Sequence, residues 1–145
     1  METVSELLAH KGGETVTVSA DCTVYDAIKV MSERNIGAVL VVEREDTLIG
    51  ILTERDYARK IVLAGRSSKT TAVSDIMTKN VVYVKPTHTV EEAMAVMTDH
   101  RCRHLPVLDD GHLTGLISIG DVVRSMIHEK DFVIDQLKHY ITGSL

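Results

Sequence analysis

Residues 15–45 read TVTVSADCTVYDAIKVMSERNIGAVLVVERE, and residues 81–111 read VVYVKPTHTVEEAMAVMTDHRCRHLPVLDDG. The second stretch lies over the first at a constant offset of 66, and after one deleted residue TLIGILTERDYARKI lies over HLTGLISIGDVVRSM at an offset of 65. Identical pairs occur throughout, and they include Val18/Val84, Thr23/Thr89, Ala27/Ala93, Met31/Met97, Val41/Val107, Gly50/Gly115 and Asp56/Asp121. Matches spread over this length do not arise by chance, so the chain contains an internal repeat.

Each copy contains the same order of predicted elements. A short strand of alternating pattern leads to Thr23 or Thr89, and a carboxylate follows three residues later at Asp26 or Glu92, which is the pattern of a capping box at a helix start. Apolar residues at three-to-four spacing then predict a helix with one buried face. Two apolar runs around a polar turn predict a hairpin, and a second helix closes the copy. We therefore predict an α+β fold of two βαββα repeats.

The two predicted repeats should pack together, because a unit of about 50 residues is near the lower limit for burying an adequate core alone. We expect the first domain at 4–64, a polar linker at 65–75 and the second domain at 76–128. The stretch around Ser74–Met77 is amphipathic and predicts a short helical turn. Residues 129–145 predict an additional C-terminal helix, whose apolar face needs a partner.

The composition is that of an ordinary soluble protein, with 145 residues, 44% hydrophobic and 26% charged. A formal net charge of -5, one Phe and no Trp argue against nucleic-acid binding. No apolar stretch reaches the roughly 18 residues that cross a bilayer, and the start METVSELLAHKGG lacks the order of a secretory signal. We expect a cytoplasmic protein with no membrane association.

The sequence contains no recognisable metal-binding or catalytic motif. Cys22 and Cys102 lie far apart, which argues against a disulfide framework and a cysteine-based zinc site. His100, Cys102 and His104 are close in sequence, but no acidic or cysteine set completes a tetrahedral site, so we predict no metal. No nucleophile elbow, Walker loop, HExxH or paired CxxC signature occurs, and we predict that the protein is not an enzyme.

Binding chemistry is concentrated where the second hairpin strand of each copy ends. Residues 50–56 read GILTERD and residues 115–121 read GLISIGD, so each has a Gly, a hydroxyl three residues later and an Asp after three more. At a strand-to-helix junction the free amides favour an anion, and a carboxylate in the first turn can accept two hydroxyls of a sugar. Taken alone, Thr-x-x-Asp is more often another capping box, so both interpretations stay open.

Taken together, these features resemble a Bateman module, the tandem pair of cystathionine-beta-synthase (CBS) domains. The resemblance covers about residues 4–128 and is carried by the TV-x-x-A helix starts, VSDIMTKNVVYVKP, RHLPVLDDG and the paired Gly-x-x-[Thr/Ser]-x-x-Asp. LTERDYARK and the terminal HYITG look like stand-alone bacterial and archaeal members. The resemblance implies two domains related by a pseudo-twofold axis, with two clefts between them that bind adenosine-containing ligands.

AMP is the first ligand candidate that the resemblance implies, with ADP, ATP, NAD and S-adenosylmethionine as the others. In the first cleft, here called the Asp121 cleft, the base would contact Val16, Ile36, Gly37 and Ala38, the ribose Asp121, and the phosphate Ser118, Arg103 and His104. In the second, the Asp56 cleft, the base would contact Val82, Cys102 and Arg103, the ribose Asp56, and the phosphate Thr53, with Arg55 as a further candidate.

The two copies differ where a phosphate would bind. The second copy has Arg103-His104 where the first has Gly37-Ala38, so the Asp121 cleft gains a guanidinium and we predict unequal affinities. The linker residues 66–69 (RSSK) could supply cations and hydroxyls to the Asp56 cleft, although loops are commonly polar. Gly120 stands where many family members have a polar residue, which removes one phosphate contact.

The resemblance and the apolar faces of the closing helices favour a homodimer. Because the chain shows no effector domain, the output of a nucleotide sensor would belong to an effector protein or to the oligomer. Two other classes of function stay open. The first is an interaction module with unoccupied clefts, and the second is nucleic-acid binding through Arg101, Arg103, His104 and the region 55–69.

Overall fold

A computed structural model describes residues 1–129, and the helix expected within 129–145 lies beyond Glu129, outside the described residues. The elements in chain order are α1 (Val4–Lys11), β1 (Thr17–Ser19), α2 (Val24–Arg34), β2 (Ala38–Glu43), β3 (Thr47–Thr53), α3 (Glu54–Tyr57) with a π-helical continuation (Ala58–Val62), α4 (Val73–Ile76), α5 (Val90–His100), β4 (His104–Asp109), β5 (His112–Ser118) and α6 (Ile119–Glu129). The predicted α+β class and the repeated order of elements are confirmed.

The two repeats differ in their first strand. In the first repeat, β1 is parallel to β2, and β2 is antiparallel to β3. In the second repeat, the strand expected around Val82 and Val84 is reduced to a single parallel bridge from Val84 to β4. The cause is Pro106, which occupies the position of Leu40. The Leu40 amide donates to the Val16 carbonyl at 3.4 Å, and proline has no amide hydrogen to donate.

The first helix of each repeat begins and ends at equivalent residues. The Thr23 hydroxyl accepts from the amide of Asp26, and the full reciprocal capping box forms at Thr89 and Glu92. The helices stop at Asn35 and Arg101, both in the left-handed conformation with φ of 54° and 53°. These turns direct the chain into the segments that precede β2 and β4, where the candidate base-binding residues lie.

The two short helices α1 and α4 are exchanged between the repeats. α1 reads VSELLAHK and α4 begins the matching VSDIMTKN. Although α1 precedes the first repeat, its Val4 and Leu7 are buried in the core of the second. Conversely, Val73 and Ile76 of α4 are buried in the core of the first repeat. The repeats are therefore interlocked. The helical turn expected at Ser74–Met77 forms one residue earlier.

A third apolar cluster joins the two repeats. It consists of buried Ala38, Leu40 and Ile51 with half-buried Leu48, Val81, Leu113 and Leu116. β3 of the first repeat contacts β5 of the second. The contact between the repeats is therefore made by the same strands that lead into the two aspartate junctions.

The glycine of each Gly-x-x-[Thr/Ser]-x-x-Asp segment is required by packing. A Cβ at Gly50 would lie 2.5 Å from Sδ of Met77, and a Cβ at Gly115 would lie 2.7 Å from Cδ2 of Leu8. Leu8, within α1, and Met77, the residue after α4, are equivalent in the matching VSELLAHK and VSDIMTKN stretches. Both glycines therefore serve close approach of a chain segment.

Candidate functional site

The Asp56 junction is a closed hydrogen-bonded unit at the start of α3. The Asp56 amide donates to the Thr53 hydroxyl and the Thr53 amide donates to Oδ2 of Asp56, each at 3.1 Å. The same carboxylate accepts from the Thr78 hydroxyl at 3.2 Å and lies 3.2 Å from Nζ of Lys60. Asp56 is only 8% exposed. The carboxylate therefore caps a helix and is already paired with a cation.

The Asp121 junction repeats this arrangement at the start of α6. The Ser118 amide donates to Oδ2 of Asp121 at 2.8 Å, and the Asp121 amide donates to the Ser118 hydroxyl at 3.2 Å. Two cations complete the shell, with Nζ of Lys11 at 2.8 Å from Oδ2 and Nη2 of Arg124 at 2.7 Å from Oδ1. Asp121 is 7% exposed. Both junctions are thus helix caps, and in both the buried carboxylate accepts from side chains that a ligand hydroxyl could replace.

The surroundings of Asp121 and His104 fix their charges. Burial raises the pKa of Asp121, but hydrogen bonds from Lys11 and Ser118 outweigh burial and hold this pKa below its usual value. Burial lowers the pKa of His104, which the Asp121 carboxylate only partly opposes. His104 is therefore a neutral imidazole near pH 7, and Arg103 supplies the permanent positive charge beside it.

The structure brings most residues of the predicted Asp121 cleft together. A Cβ at Gly37 would lie 3.6 Å from the His104 ring, so the two repeats face each other at these residues. Val16 and Ile36 line a cavity of about 140 Å³ that Lys11 also lines. A second cavity, of about 550 Å³, is bordered by Lys11 and Asp121. Lys11 thus lies between the candidate base-binding residues and the ribose-binding carboxylate.

Two residues predicted for this cleft occupy different environments. Ala38 is 1% exposed and packs in the cluster that joins the repeats, so only its backbone can meet a ligand. Arg103 is exposed, and its carbonyl accepts from the Ile119 amide at 2.8 Å. The equivalent bond in the first repeat runs from the Glu54 amide to the Gly37 carbonyl at 3.1 Å.

The residues predicted for the Asp56 cleft lie at two places in the structure. Thr53 and Asp56 are in direct contact, and Arg55 is exposed. Val82 and Cys102 are half-buried and pack against the core of the second repeat, and burial raises the pKa of the Cys102 thiol. Besides Thr53, the Asp56 carboxylate accepts a hydrogen bond from Thr78, in the segment that follows α4.

The linker residues 66–69 form a different surface. They line a cavity of about 620 Å³ together with Tyr25 and Lys29 of α2, and Asp56 is absent from its lining. Nζ of Lys69 lies 5.1 Å from the centre of the Tyr25 ring. The expected contribution of the linker to the Asp56 cleft therefore finds no support in the packing.

Three site residues were missed by sequence reasoning. Thr78, two residues after α4, contacts Asp56, and Lys11, the last residue of α1, contacts Asp121. The third residue is Glu54, whose carboxylate lies 2.9 Å from the Cβ position of Gly37. The residue equivalent to Glu54 in the second repeat is Ile119. The matching VSELLAHK and VSDIMTKN stretches were the available signal for the first two. That signal does not say which repeat each helix packs on.

Within residues 1–129, no three or more His, Cys, Asp or Glu side chains are grouped so that they could hold a metal ion. The same part of the chain has no helix of the length and apolar character needed to cross a membrane.

Comparison with known proteins identifies the repeat. A family model described as the CBS domain matches residues 4–63 and 73–128. The chain is similar to the CBS domain-containing protein CBSX3, mitochondrial, of Arabidopsis thaliana, with 46% identity over 149 residues that cover 97% of this chain and 72% of that protein.

Solved structures share the fold. The CBS-domain containing protein ATU1752 from Agrobacterium tumefaciens matches with a TM-score of 0.81 and 41% identity, covering 86% of this chain and 99% of that one. The CBS domain pair of protein MJ0100, in complex with 5'-methylthioadenosine and S-adenosyl-L-methionine, matches with a TM-score of 0.78, covering 89% and 98%. At 23% identity this last likeness shows the fold alone.

Proposed function

The chain belongs to the CBS domain family and contains a tandem pair of these domains, and from that premise we propose that it is a non-enzymatic regulatory module that binds an adenine nucleotide between its repeats. AMP is the first ligand to test, followed by NAD, ADP, ATP and S-adenosylmethionine. One observation carries the proposal: two equivalent buried carboxylates, Asp56 and Asp121, lie at strand-to-helix junctions beside the contact between the repeats.

The chemistry of these junctions suits a nucleoside phosphate. A ribose has two neighbouring hydroxyls that can donate to one carboxylate, and a helix start with free amides attracts a phosphate. The hydroxyls of Thr53 and Ser118 stand beside the carboxylates as further donors. The complex of the structurally similar MJ0100 pair with two adenosine derivatives supports the choice of an adenosine ligand.

We assign different strengths to the two clefts. The Asp121 cleft combines Arg103 and His104 with a carboxylate that cations already surround, and its candidate residues lie close together. The base-side residues do not distinguish the clefts, because Val82 and Cys102 pack against the second core as Val16 and Ile36 pack against the first. The difference lies at the phosphate side, where the first repeat has Gly37 and Ala38 in place of Arg103 and His104. The Asp121 cleft is therefore the tighter site.

Regulation would follow from linkage. A ligand that touches both repeats stabilises one relative arrangement, and it biases an output only through its different affinity for the two arrangements. The interlocked helices α1 and α4 would transmit such a change from one repeat to the other. The output then belongs to an effector protein or to a second copy of this chain.

A homodimer is supported by exposed apolar side chains on α6. Ile119, Val123 and Ile127 recur every four residues and are 36%, 43% and 43% exposed, so they form one stripe. Val62 and Leu63 after α3 add exposed apolar surface at 57% and 79%. The same surface also favours the second candidate function, an interaction module with unoccupied clefts.

The test is isothermal titration calorimetry of nucleotide-stripped protein with the five candidate ligands. Asp121→Asn and Asp56→Asn retain an oxygen that can cap the helix but remove the charge, and we expect Asp121→Asn to lose most of the tighter binding. Glu92→Gln is the matched control, because Glu92 closes a capping box away from both clefts. A folded protein that binds none of the five ligands would favour the interaction module.

A further inference from the structure

Lys11 ties the end of α1 to the Asp121 junction. Its ammonium donates to Oδ2 of Asp121 and to the carbonyl of Leu116, both at 2.8 Å. The Asp121 side chain is 7% exposed and that of Lys11 is 39% exposed. The partly exposed Lys11 ammonium therefore occupies Oδ2 of Asp121, the carboxylate that our proposed function assigns to the ribose.

The equivalent position in the other junction is held in a different way. Ile51 corresponds to Leu116, and its carbonyl accepts from the Thr78 backbone amide at 2.9 Å. The Thr78 hydroxyl then donates to Asp56 at 3.2 Å. Backbone pairing fixes Thr78, whereas the Lys11 ammonium stands on four rotatable bonds and can leave without any break in a β-bridge.

The chain after Lys11 contains two exposed glycines with open space around them. Gly12 and Gly13 have φ of 63° and 81°, and a Cβ on either would meet no atom within 4 Å. The Gly12 amide donates to the Leu8 carbonyl at 3.0 Å and closes the last turn of α1. Two exposed glycines can change conformation here without a steric clash, so this connection can serve as a hinge.

The cavity beneath this hinge is too small for a nucleoside. Lys11, Gly12 and Gly13 line one cavity together with Val16 and Ile36, and its volume is about 140 Å³. Sites for small molecules begin at about 300 Å³. In the present arrangement, the base side of the Asp121 cleft, which the segment 11–13 lines, is therefore too small for a nucleoside, whereas the cavity of about 550 Å³ that Asp121 borders is not.

We propose that Lys11 is a latch that competes with the ribose hydroxyls for Asp121, so that nucleotide binding at this cleft releases the last turn of α1. The proposal rests on the proposed function. Ligand entry exchanges the Lys11 ammonium for two hydroxyls on the Asp121 carboxylate, and the hinge at Gly12 and Gly13 absorbs the movement. By thermodynamic linkage, any interaction that favours the Lys11–Asp121 ion pair by a given factor weakens nucleotide binding at this cleft by the same factor.

Calorimetry with adenosine separates competition from phosphate attraction, because adenosine carries no phosphate. The variants are made in an Asp56→Asn background so that the Asp121 cleft dominates the signal. Lys11→Met keeps the length of the side chain without its charge, and we expect adenosine to bind about fivefold tighter, as loss of a competing ion pair of about 1 kcal/mol predicts. Lys11→Arg keeps the cation and should stay near the parent affinity. Lys60→Met, which removes the lysine that pairs with residue 56 in the other junction, should also leave the affinity unchanged.

Hydrogen exchange of the Gly12 amide gives a second readout in protein without ligand. We expect roughly threefold or faster exchange in Lys11→Met than in wild type, because the last turn of α1 loses its tie. Saturating adenosine should accelerate exchange of the Gly12 amide in wild type, and this measurement tests the proposal even if Lys11→Met fails to fold.

Unchanged adenosine affinity in Lys11→Met together with slower or unchanged Gly12 exchange in wild type on ligand binding would overturn the latch and leave nucleotide binding intact. Weaker adenosine binding in Lys11→Met would overturn it too, since Lys11 would then be a ligand contact. If no variant binds adenosine or AMP, the proposed function fails and the latch fails with it.

Discussion

Asp56 and Asp121 are the same residue of the repeat, yet their partners differ. Asp56 contacts a threonine hydroxyl and one lysine, whereas Asp121 contacts a lysine and an arginine. The sequence predicts both carboxylates and the hydroxyls three residues before them. It does not predict Thr78 or Lys11, because these side chains arrive from helices whose packing partner lies more than 20 residues away along the chain.

The lowered pKa of Asp121 makes part of the folding stability depend on pH. Its usual value is 3.8 and the folded value lies below it, so the stabilisation is present above pH 3.8 and disappears as pH falls through the folded value. We expect the free energy of unfolding of wild type to fall more steeply than that of Asp121→Asn between about pH 5 and the acid limit. Urea unfolding at several pH values measures both slopes. The same pH dependence of the free energy of unfolding in both proteins would contradict a lowered pKa at Asp121.

Arg103 supplies the charge that distinguishes the Asp121 cleft. Removing one charge-assisted contact to a phosphate costs about 1.5–3 kcal/mol, which is a loss of about tenfold or more. We therefore expect Arg103→Ala to weaken AMP binding at the Asp121 cleft by that factor and to leave adenosine binding at that cleft unchanged. Arg101→Ala is the matched control, because Arg101 is an exposed arginine two residues earlier, at the end of α5. Equal AMP affinity in Arg103→Ala and wild type would remove the basis for unequal clefts.

Among the elements, the sequence predicted the helices α2, α5 and α6 and both hairpins well, because their apolar spacing is regular. It overestimated the first strand of the second repeat, where Pro106 removes the amide that pairing needs. It also left α1 next to its own repeat. The amphipathic face of VSELLAHK fits either core, so its pattern does not reveal the exchange.

The exchanged helices can be tested through the glycines they cover. We expect Gly50→Ala to destabilise the fold by about 1–3 kcal/mol, because the Cβ would meet Met77 at 2.5 Å and the Thr78 carbonyl oxygen at 3.0 Å. Gly115→Ala meets only the flexible Leu8 side chain, so Leu8→Ala should partly rescue it. Gly120→Ala is the control, because its Cβ would lie 3.4 Å from the nearest atom, Nη1 of the Arg124 side chain. Thermal unfolding measures the four single variants and the Gly115→Ala/Leu8→Ala double variant, and additive effects of Gly115→Ala and Leu8→Ala would rule out the contact.

At the scale of the whole molecule, the family and fold predicted from the repeat are confirmed. The domain limits at 4–64 and 76–128 stay a prediction, and the packing of α1 and α4 crosses them. The assignment of residues to the two clefts also stays a prediction. Equivalent positions in a repeat can be paired from sequence, but their distances depend on how the repeats meet.

The α6 stripe gives the prediction for assembly. If Ile119, Val123 and Ile127 contact a second copy, Val123→Glu places a charge in that contact and should shift the protein from dimer to monomer. Sedimentation velocity at several concentrations measures the shift. Thr98→Glu, on the exposed surface of α5, is the control, and an unchanged dimer in Val123→Glu would place the interface elsewhere.

The exchange of α1 and α4 also bears on how such a chain can be divided. One repeat with the helix that precedes it would carry an apolar helix face without its core, and a core without its covering helix. Two such fragments complete each other only when each packs its preceding helix on the core of the other, which is the arrangement of a domain-swapped dimer. The tandem protein is that swapped pair joined into a single polypeptide, so a cut in the linker should yield halves that fold only when mixed.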